Sequence, residues 1–271
     1  MPGPSRGSAA RASCAVLTTT VAIIGRMASA RTLRPVAAAT PRRSGITAAD
    51  RYVAAMYALA FPVGEPLGPC GRPFETSRLA SVLGVAPVSA REVTVRLERD
   101  GLVERALRRR WALTPAGVAR ADAVVRRQRI VVRFLVDELA YPVADAYADG
   151  APLGVTVTDR TALRMHERLG RPERDPNGWP IDLERDRAEA PGLVRATALA
   201  PGAAGRIVRL ARHPRSLVER LHAAGCVPGA AIEAATGLGG RRSWRLADDG
   251  AHGRAVPADL AEGAWVRGVA D

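Results

Sequence analysis

Arg108, Arg109 and Arg110 stand side by side a short way after a stretch that carries Ser89, Arg91, Glu92 and Arg96. Guanidinium groups grip phosphate oxygens in a bidentate fork, and small hydroxyl, carboxylate and guanidinium groups also reach base edges. The chemistry on offer is therefore recognition of a polyanion rather than bond making. It works only if the chain holds these side chains on one face.

The surrounding residues say how. Leu79, Ala80 and Leu83 repeat at helical spacing, Gly84 tolerates a left-handed backbone, and Val88, Val93 and Leu97 resume the period on a second helix that Pro87 opens. Glu92 and Arg96 form an i, i+4 pair on that helix, and Asp100 with Gly101 ends it. Leu102 and Val103 then begin an extended segment, Arg108 to Arg110 fill a turn, and Trp111 and Leu113 alternate back toward the core. Residues 73–114 read as a helix-turn-helix followed by a basic wing, which makes double-stranded DNA the first partner to expect. Ser89 and Arg91 are the leading candidates for base or phosphate contact, and Arg109 and Arg110 for phosphate contact.

Charge is distributed in the same sense. The 271 residues carry a formal charge of +13; residues 73–133 hold 13 Arg against 6 acidic residues, and residues 134–271 hold 18 against 19. The excess sits where the motif sits. Every cationic side chain is Arg, which fits coding bias better than function.

Other classes find little support. No Ser, His and Asp arrangement, paired carboxylates or cofactor fingerprint stands out, and Gly237 to Gly240 is too short for a nucleotide loop, so an enzyme is not expected. Cys14, Cys70 and Cys226 are widely spaced with no CxxC, which argues against a zinc knuckle or disulfide scaffold and fits a reducing cytoplasm. Residues 1–46 hold 7 Arg and no acid without an amphipathic period, and are expected to be disordered. Within them, Cys14 to Gly25 resembles a secretory signal superficially, but a winged helix argues against export and Arg26 cuts the run short of a membrane span.

Downstream, Val118, Ala121, Val124, Val125, Ile130, Val131, Phe134 and Leu135 mark a long helix over 115–139. A looser helical pattern over 143–149 is expected to break at Gly150, Pro152 and Gly154, and Asp159 is expected to cap a helix running to Leu169. These three helices could form a dimer interface. Residues 171–192, charged and rich in Pro and Gly, look like a linker. Short strand-like pieces at 207–210, 230–234, 244–246 and 264–266, with one helix over 217–224, suggest a five-stranded SH3-like barrel.

The segments TAADRYVAAMYALA, LERDGLV, LTPAGVARA and DPNGWPI, with the closing LVERLHAAGCVPGAAIEA, together resemble the iron-dependent repressor (DtxR-type) family with its FeoA-type domain. The resemblance spans about residues 47–271. It implies an α+β chain with a winged helix-turn-helix at 47–116, a helical dimerisation domain at 117–183, a linker at 184–192 and an SH3-like domain at 193–271, behind the extension at 1–46. It also implies a cytoplasmic homodimer in which Fe(II) or Mn(II), held between the first helix and the dimerisation helices, licenses operator binding. A divalent first-row metal needs several lone-pair donors on facing helices. The positions that match the family's ligands are Arg51, Gln128, Val132, Tyr147, Ala151, Gly154 and Val155, and none is a good replacement. Metal sensing is therefore expected to be lost. Two alternatives stand beside that expectation: a relocated metal site, drawn from Asp145, Tyr147 and Asp149 or from His166 and Glu167, and a modulator that heterodimerises with an intact relative.

Overall fold

The computed structural model describes residues 48–236, 241–247 and 253–268; the expectations for residues 1–46 and for Gly237 to Gly240 lie outside them. Helix α1 (Ala48–Ala60) buries Tyr52, Val53, Met56 and Tyr57 against the helix-turn-helix pair α2 (Thr76–Leu83) and α3 (Pro87–Arg99). Gly84 ends α2 at φ 64°, a left-handed conformation that costs a residue without Cβ little. Pro87 opens α3 where a missing N–H is harmless.

The buried stripe of α3 differs from the expected one. Ala90, Thr94 and Leu97 face the core at i, i+4 and i+7, Val93 is half-buried, and Val88 is 68% exposed. Thr94 can occupy the interior because its hydroxyl donates to Ala90 O at 2.7 Å. The expected Glu92–Arg96 ion pair is not formed.

Strands β1 (Val103–Ala106) and β2 (Arg110–Leu113) make the wing, antiparallel from Val103 opposite Leu113 to Ala106 opposite Arg110. Phe74 adds a third edge, its N–H donating to Trp111 O at 2.8 Å and its carbonyl accepting from Trp111 N at 2.9 Å.

Helix α4 (Pro115–Leu139) starts at a Thr114 cap whose hydroxyl accepts from Gly117 N at 3.1 Å. Helix α5 (Val143–Thr156) does not break at Gly150, Pro152 or Gly154 as expected. Both glycines are buried against α4: a Cβ on Gly150 would stand 2.6 Å from Val132 Cγ2, and one on Gly154 would stand 2.5 Å from Gln128 Cα. The glycines thus let two backbones approach, and packing overrides their low helix propensity. Helix α6 (Asp159–Arg168) is capped by Thr158 rather than Asp159, the Thr158 hydroxyl accepting from Thr161 N at 3.2 Å.

Residues 171–192 are not a linker in form. Asp175, Asn177, Trp179 and Ile181 are buried, helix α7 (Leu183–Glu189) follows with Leu183 and Asp186 buried, and residues 190–192 close in a 3-10 turn. The Asp175 carboxylate accepts from Asn177 N and Trp179 N at 3.0 and 2.9 Å, folding the loop on itself.

One antiparallel sheet completes the chain. Its strands are β3 (Val194–Arg195), β4 (Ala204–Leu210), β5 (Ala231–Thr236), β6 (Arg242–Leu246), β7 (Ala255–Val256) and β8 (Ala264–Gly268), in the order β3-β8-β4-β5-β6-β7. Among the described residues it has six strands where five were expected; β3 and β7 are two residues each, too short to leave an alternating pattern. Helices α8 (Arg215–Ala223) and α9 (Ala258–Glu262) cover it, over a core that includes Ile207, Leu210, Leu221, Ile232, Trp244 and Val266.

The barrel is docked. Val218 of α8 joins Val131, Val132, Leu135 and Tyr147 in one apolar cluster. Trp179 Nε1 and Asn177 Nδ2 donate to the barrel carbonyls Leu210 O and Ala211 O at 2.8 and 2.7 Å.

Candidate nucleic-acid interface

Burial of Ala90, Thr94 and Leu97 fixes the rotation of α3, and with it what the helix shows outward. Ser89, Arg91, Glu92 and Arg96 are all exposed, Ser89 in the first turn and the others along the same outer surface. Among the described residues, Arg91 and Arg96 have no ion-pair partner. A helix carrying small polar and guanidinium groups on its outer face has the dimensions and donors to enter a major groove.

The wing tip places Arg108 and Arg109 at φ 59° and 60°. Two adjacent residues with a Cβ in the left-handed region cost about 1–3 kcal/mol each, and such strain gathers at functional loops. Neither arginine has an ion-pair partner among the described residues, whereas Arg110 stands 3.5 Å from Glu75. Arg105, which sequence reasoning passed over, stacks 5.0 Å from the Trp111 ring centroid and pairs with Glu98 at 2.9 Å, fastening the wing to α3.

Two apolar side chains share this surface and carried no expectation of exposure. Val88, at the start of α3, and Leu107, 89% exposed at the wing tip, present methyl groups outward. The signal was present for Val88: Ala90, Thr94 and Leu97 also fit a helical stripe, but a buried Thr is hard to recognise by residue type. Part of the cationic excess of residues 73–133 is internal instead. Arg127 and Arg129 are buried, and Arg120 forks onto the buried Asp50 carboxylate at 2.7 and 3.0 Å.

The positions matched to metal ligands hold a different chemistry. Arg51 donates through Nη2 to Leu83 O at 2.8 Å, tying α1 to the end of α2. Gln128 Nε2 donates to Ala151 O at 3.1 Å, and the Tyr147 hydroxyl accepts from Asn177 N at 3.1 Å. Val132, Ala151, Gly154 and Val155 offer no side-chain donor atom, and the α4–α5 crossing at Gly154 is closed to backbone contact. These residues do not fit a divalent cation. The relocated candidates do not converge either: Asp145 pairs with Arg215 at 2.7 Å, Tyr147 is buried and Asp149 exposed. Glu167 pairs with Arg164 and Arg171 at 2.9 and 3.5 Å, and His166 Nε2 lies 2.9 Å from Pro172 O. Among the described residues no three His, Cys, Asp or Glu side chains gather as a metal site, and no helix is long and apolar enough to cross a membrane.

Comparison with known proteins places this geometry. A family model described as iron dependent repressor, metal binding and dimerisation domain matches residues 114–183. The chain is 32% identical over 176 residues to the iron-dependent repressor IdeR of Mycobacterium tuberculosis (strain ATCC 25618 / H37Rv), a span of 60% of this chain and 76% of that one. It is 30% identical over 137 residues to the diphtheria toxin repressor of Corynebacterium efficiens, covering 48% and 59%. Among solved structures, a manganese-dependent transcriptional repressor in complex with manganese superposes with a TM-score of 0.68 at 25% identity, over 82% of this chain and all (100%) of that one. The IdeR structure of T. acidophilum shares the fold at a TM-score of 0.62 and 22% identity, over 84% and 100%.

Proposed function

The chain belongs to the iron-dependent repressor family, and from that premise we propose that it is a dimeric DNA-binding regulator of transcription whose operator occupancy does not depend on a divalent metal at the family's site. Its relatives are iron- and manganese-dependent transcriptional repressors, not enzymes. On this reading the outer face of α3 enters the major groove with Ser89, Arg91, Glu92 and Arg96, Val88 meets a thymine methyl, and Arg108, Arg109 and Arg110 hold the flanking phosphates. Residues 47–116 form the DNA-binding unit and 117–183 the dimerisation unit. Leu139, Leu153 and Leu163, exposed on α4, α5 and α6, and Tyr141 in the connection between the first two supply apolar surface for a second copy of the chain.

The observation that carries the metal-independent part is the closed contact between Gly154 and Gln128, at two positions where donor side chains would be needed. The test is binding of the purified protein to a labelled fragment from upstream of its own gene, first in chelator and then with added Fe(II) or Mn(II). Tight binding in chelator is expected. Binding that appears only with metal would overturn the reading, and binding only after co-purification with an intact relative would make the chain a heterodimerising modulator instead.

A further inference from the structure

We infer that the guanidinium of Arg127 is a built-in cation that ties the winged helix to the helical unit, taking the place of a bound dication. This rests on the metal-independent reading above. Arg127 projects from the middle of α4 and is 6% exposed, yet it touches three other elements. Its Nη1 donates to Asp159 Oδ1 at 2.6 Å on α6, its Nε donates to Gly154 O at 3.2 Å on α5, and its Nη2 lies 3.9 Å from Asp50 Oδ2 on α1. Asp50, itself 1% exposed, is the one carboxylate that α1 sends into this contact, and it also accepts the fork of Arg120, one of the α4 arginines, so Arg127 adds a second cation to the same tie.

The chemistry at each arm favours a cation. Gly154 lies in the last turn of α5, where carbonyls lack an intrahelical partner and the helix dipole is negative. Asp50 and Asp159 bring formal charges from opposite sides. The planar fork hydrogen-bonds Asp159 and the Gly154 carbonyl through two of its nitrogens while its third faces Asp50 at ion-pair distance, a spread in one plane that a compact ammonium does not offer. The missing side chain at Gly154 brings the α5 backbone within reach, since any Cβ there would collide with Gln128. The substitution that removes a ligand position thus also admits the guanidinium. Unlike a metal ion, this cation cannot be withdrawn by a chelator or by scarcity, so the orientation of α1, and of α2 and α3 packed on it, is set permanently. Control over operator occupancy must then act through the amount of protein or through another ligand.

The experiment measures operator affinity in chelator for the parent, Arg127→Gln, Asp50→Asn and the double variant, at a temperature where each is folded by circular dichroism. Arg133→Gln, which breaks only a surface i, i+4 pair with Asp137, is the control. Each single variant is expected to weaken binding about tenfold, as for a coupling that positions a binding unit. Because Asp50 also holds Arg120 and Arg127 also holds Asp159, the double variant should be weaker than either single but fall clearly short of the sum of their effects, and the control should match the parent. A loss of melting temperature alone would follow from any buried ion pair; affinity of the folded protein would not. If Arg127→Gln does not fold, Arg127→Lys replaces it, keeping the charge while losing the fork, and the same loss is expected. Affinity within about twofold of the parent, or single effects that add, overturns the inference while leaving metal-independent binding intact. A parent that fails to bind in chelator overturns the underlying reading instead.

Discussion

Arg209 Nη1 on β4 stands 2.6 Å from Asp186 Oδ1 on α7, with both side chains buried. The other carboxylate oxygen accepts from Arg129 of α4 at 2.7 Å and from the Tyr57 hydroxyl of α1 at 3.2 Å. One carboxylate therefore joins the barrel, the long helix and the first helix. Burial works against the charge on both arginines; for Arg129 the nearby Asp186 and Asp175 outweigh it and hold the guanidinium up, whereas for Arg209 burial prevails and pushes it down.

Removing the shared partner should be expensive. Asp186→Ala leaves Arg129 buried without its carboxylate and Arg209 with only Glu189 at 3.5 Å, and breaking a buried pair costs about 3–5 kcal/mol. Chemical denaturation should show a loss of that size and an earlier transition for the barrel. A loss under about 1 kcal/mol would mean that water reaches the cluster freely.

The wing arginines should behave as phosphate contacts. Arg108→Ala and Arg109→Ala are each expected to weaken DNA binding by a similar factor on every sequence tested, and to lower the slope of log affinity against log salt by about 0.9 per lost contact. Fluorescence anisotropy across a salt series on two unrelated fragments reads both quantities. A changed sequence preference would instead assign these residues to base edges.

Gly154→Ala sets two effects against each other. Alanine in a helix interior gains about 0.5–1 kcal/mol over glycine. Its Cβ would stand 2.5 Å from Gln128 Cα, a backbone atom that cannot rotate away, and overpacking of that kind costs about 1–3 kcal/mol. Net destabilisation is expected in thermal melts, whereas an exposed glycine such as Gly192, with open space about the added Cβ and no left-handed backbone, lacks the collision.

The helix-turn-helix and wing were legible because local chemistry specifies them: Leu79 and Leu83 keep a helical period, Gly84 supplies the left-handed cap, and Trp111 and Leu113 alternate. What escaped was written in tertiary terms. Gly150 and Gly154 read as helix breakers until α4 is seen lying against them. Residues 171–192 read as a linker because Asp175, Asn177 and Asp186 are polar, and nothing local reveals that each is buried against its own set of partners. Arg127 and Arg129 counted as surface charge for the same reason.

His222 extends this logic to pH. Its Nε2 donates to Asn177 Oδ1 at 2.8 Å, across the contact between α8 and the loop before α7. Burial pushes the imidazole below its usual value, and His213 is pushed the same way by burial and then by Arg212. With the folded value depressed, the unfolded chain binds the proton first, so stability is complete above about pH 6.5 and is lost as pH falls from there through the folded value. Thermal melts should therefore decline as the buffer is taken from neutral to mildly acidic. His222→Gln, which keeps a donor for Asn177 but does not titrate, should flatten part of that decline and leave the share of His213. A melting temperature that holds or rises over this interval would show that His222 accepts its proton within the fold, and that the docked barrel has room to solvate it.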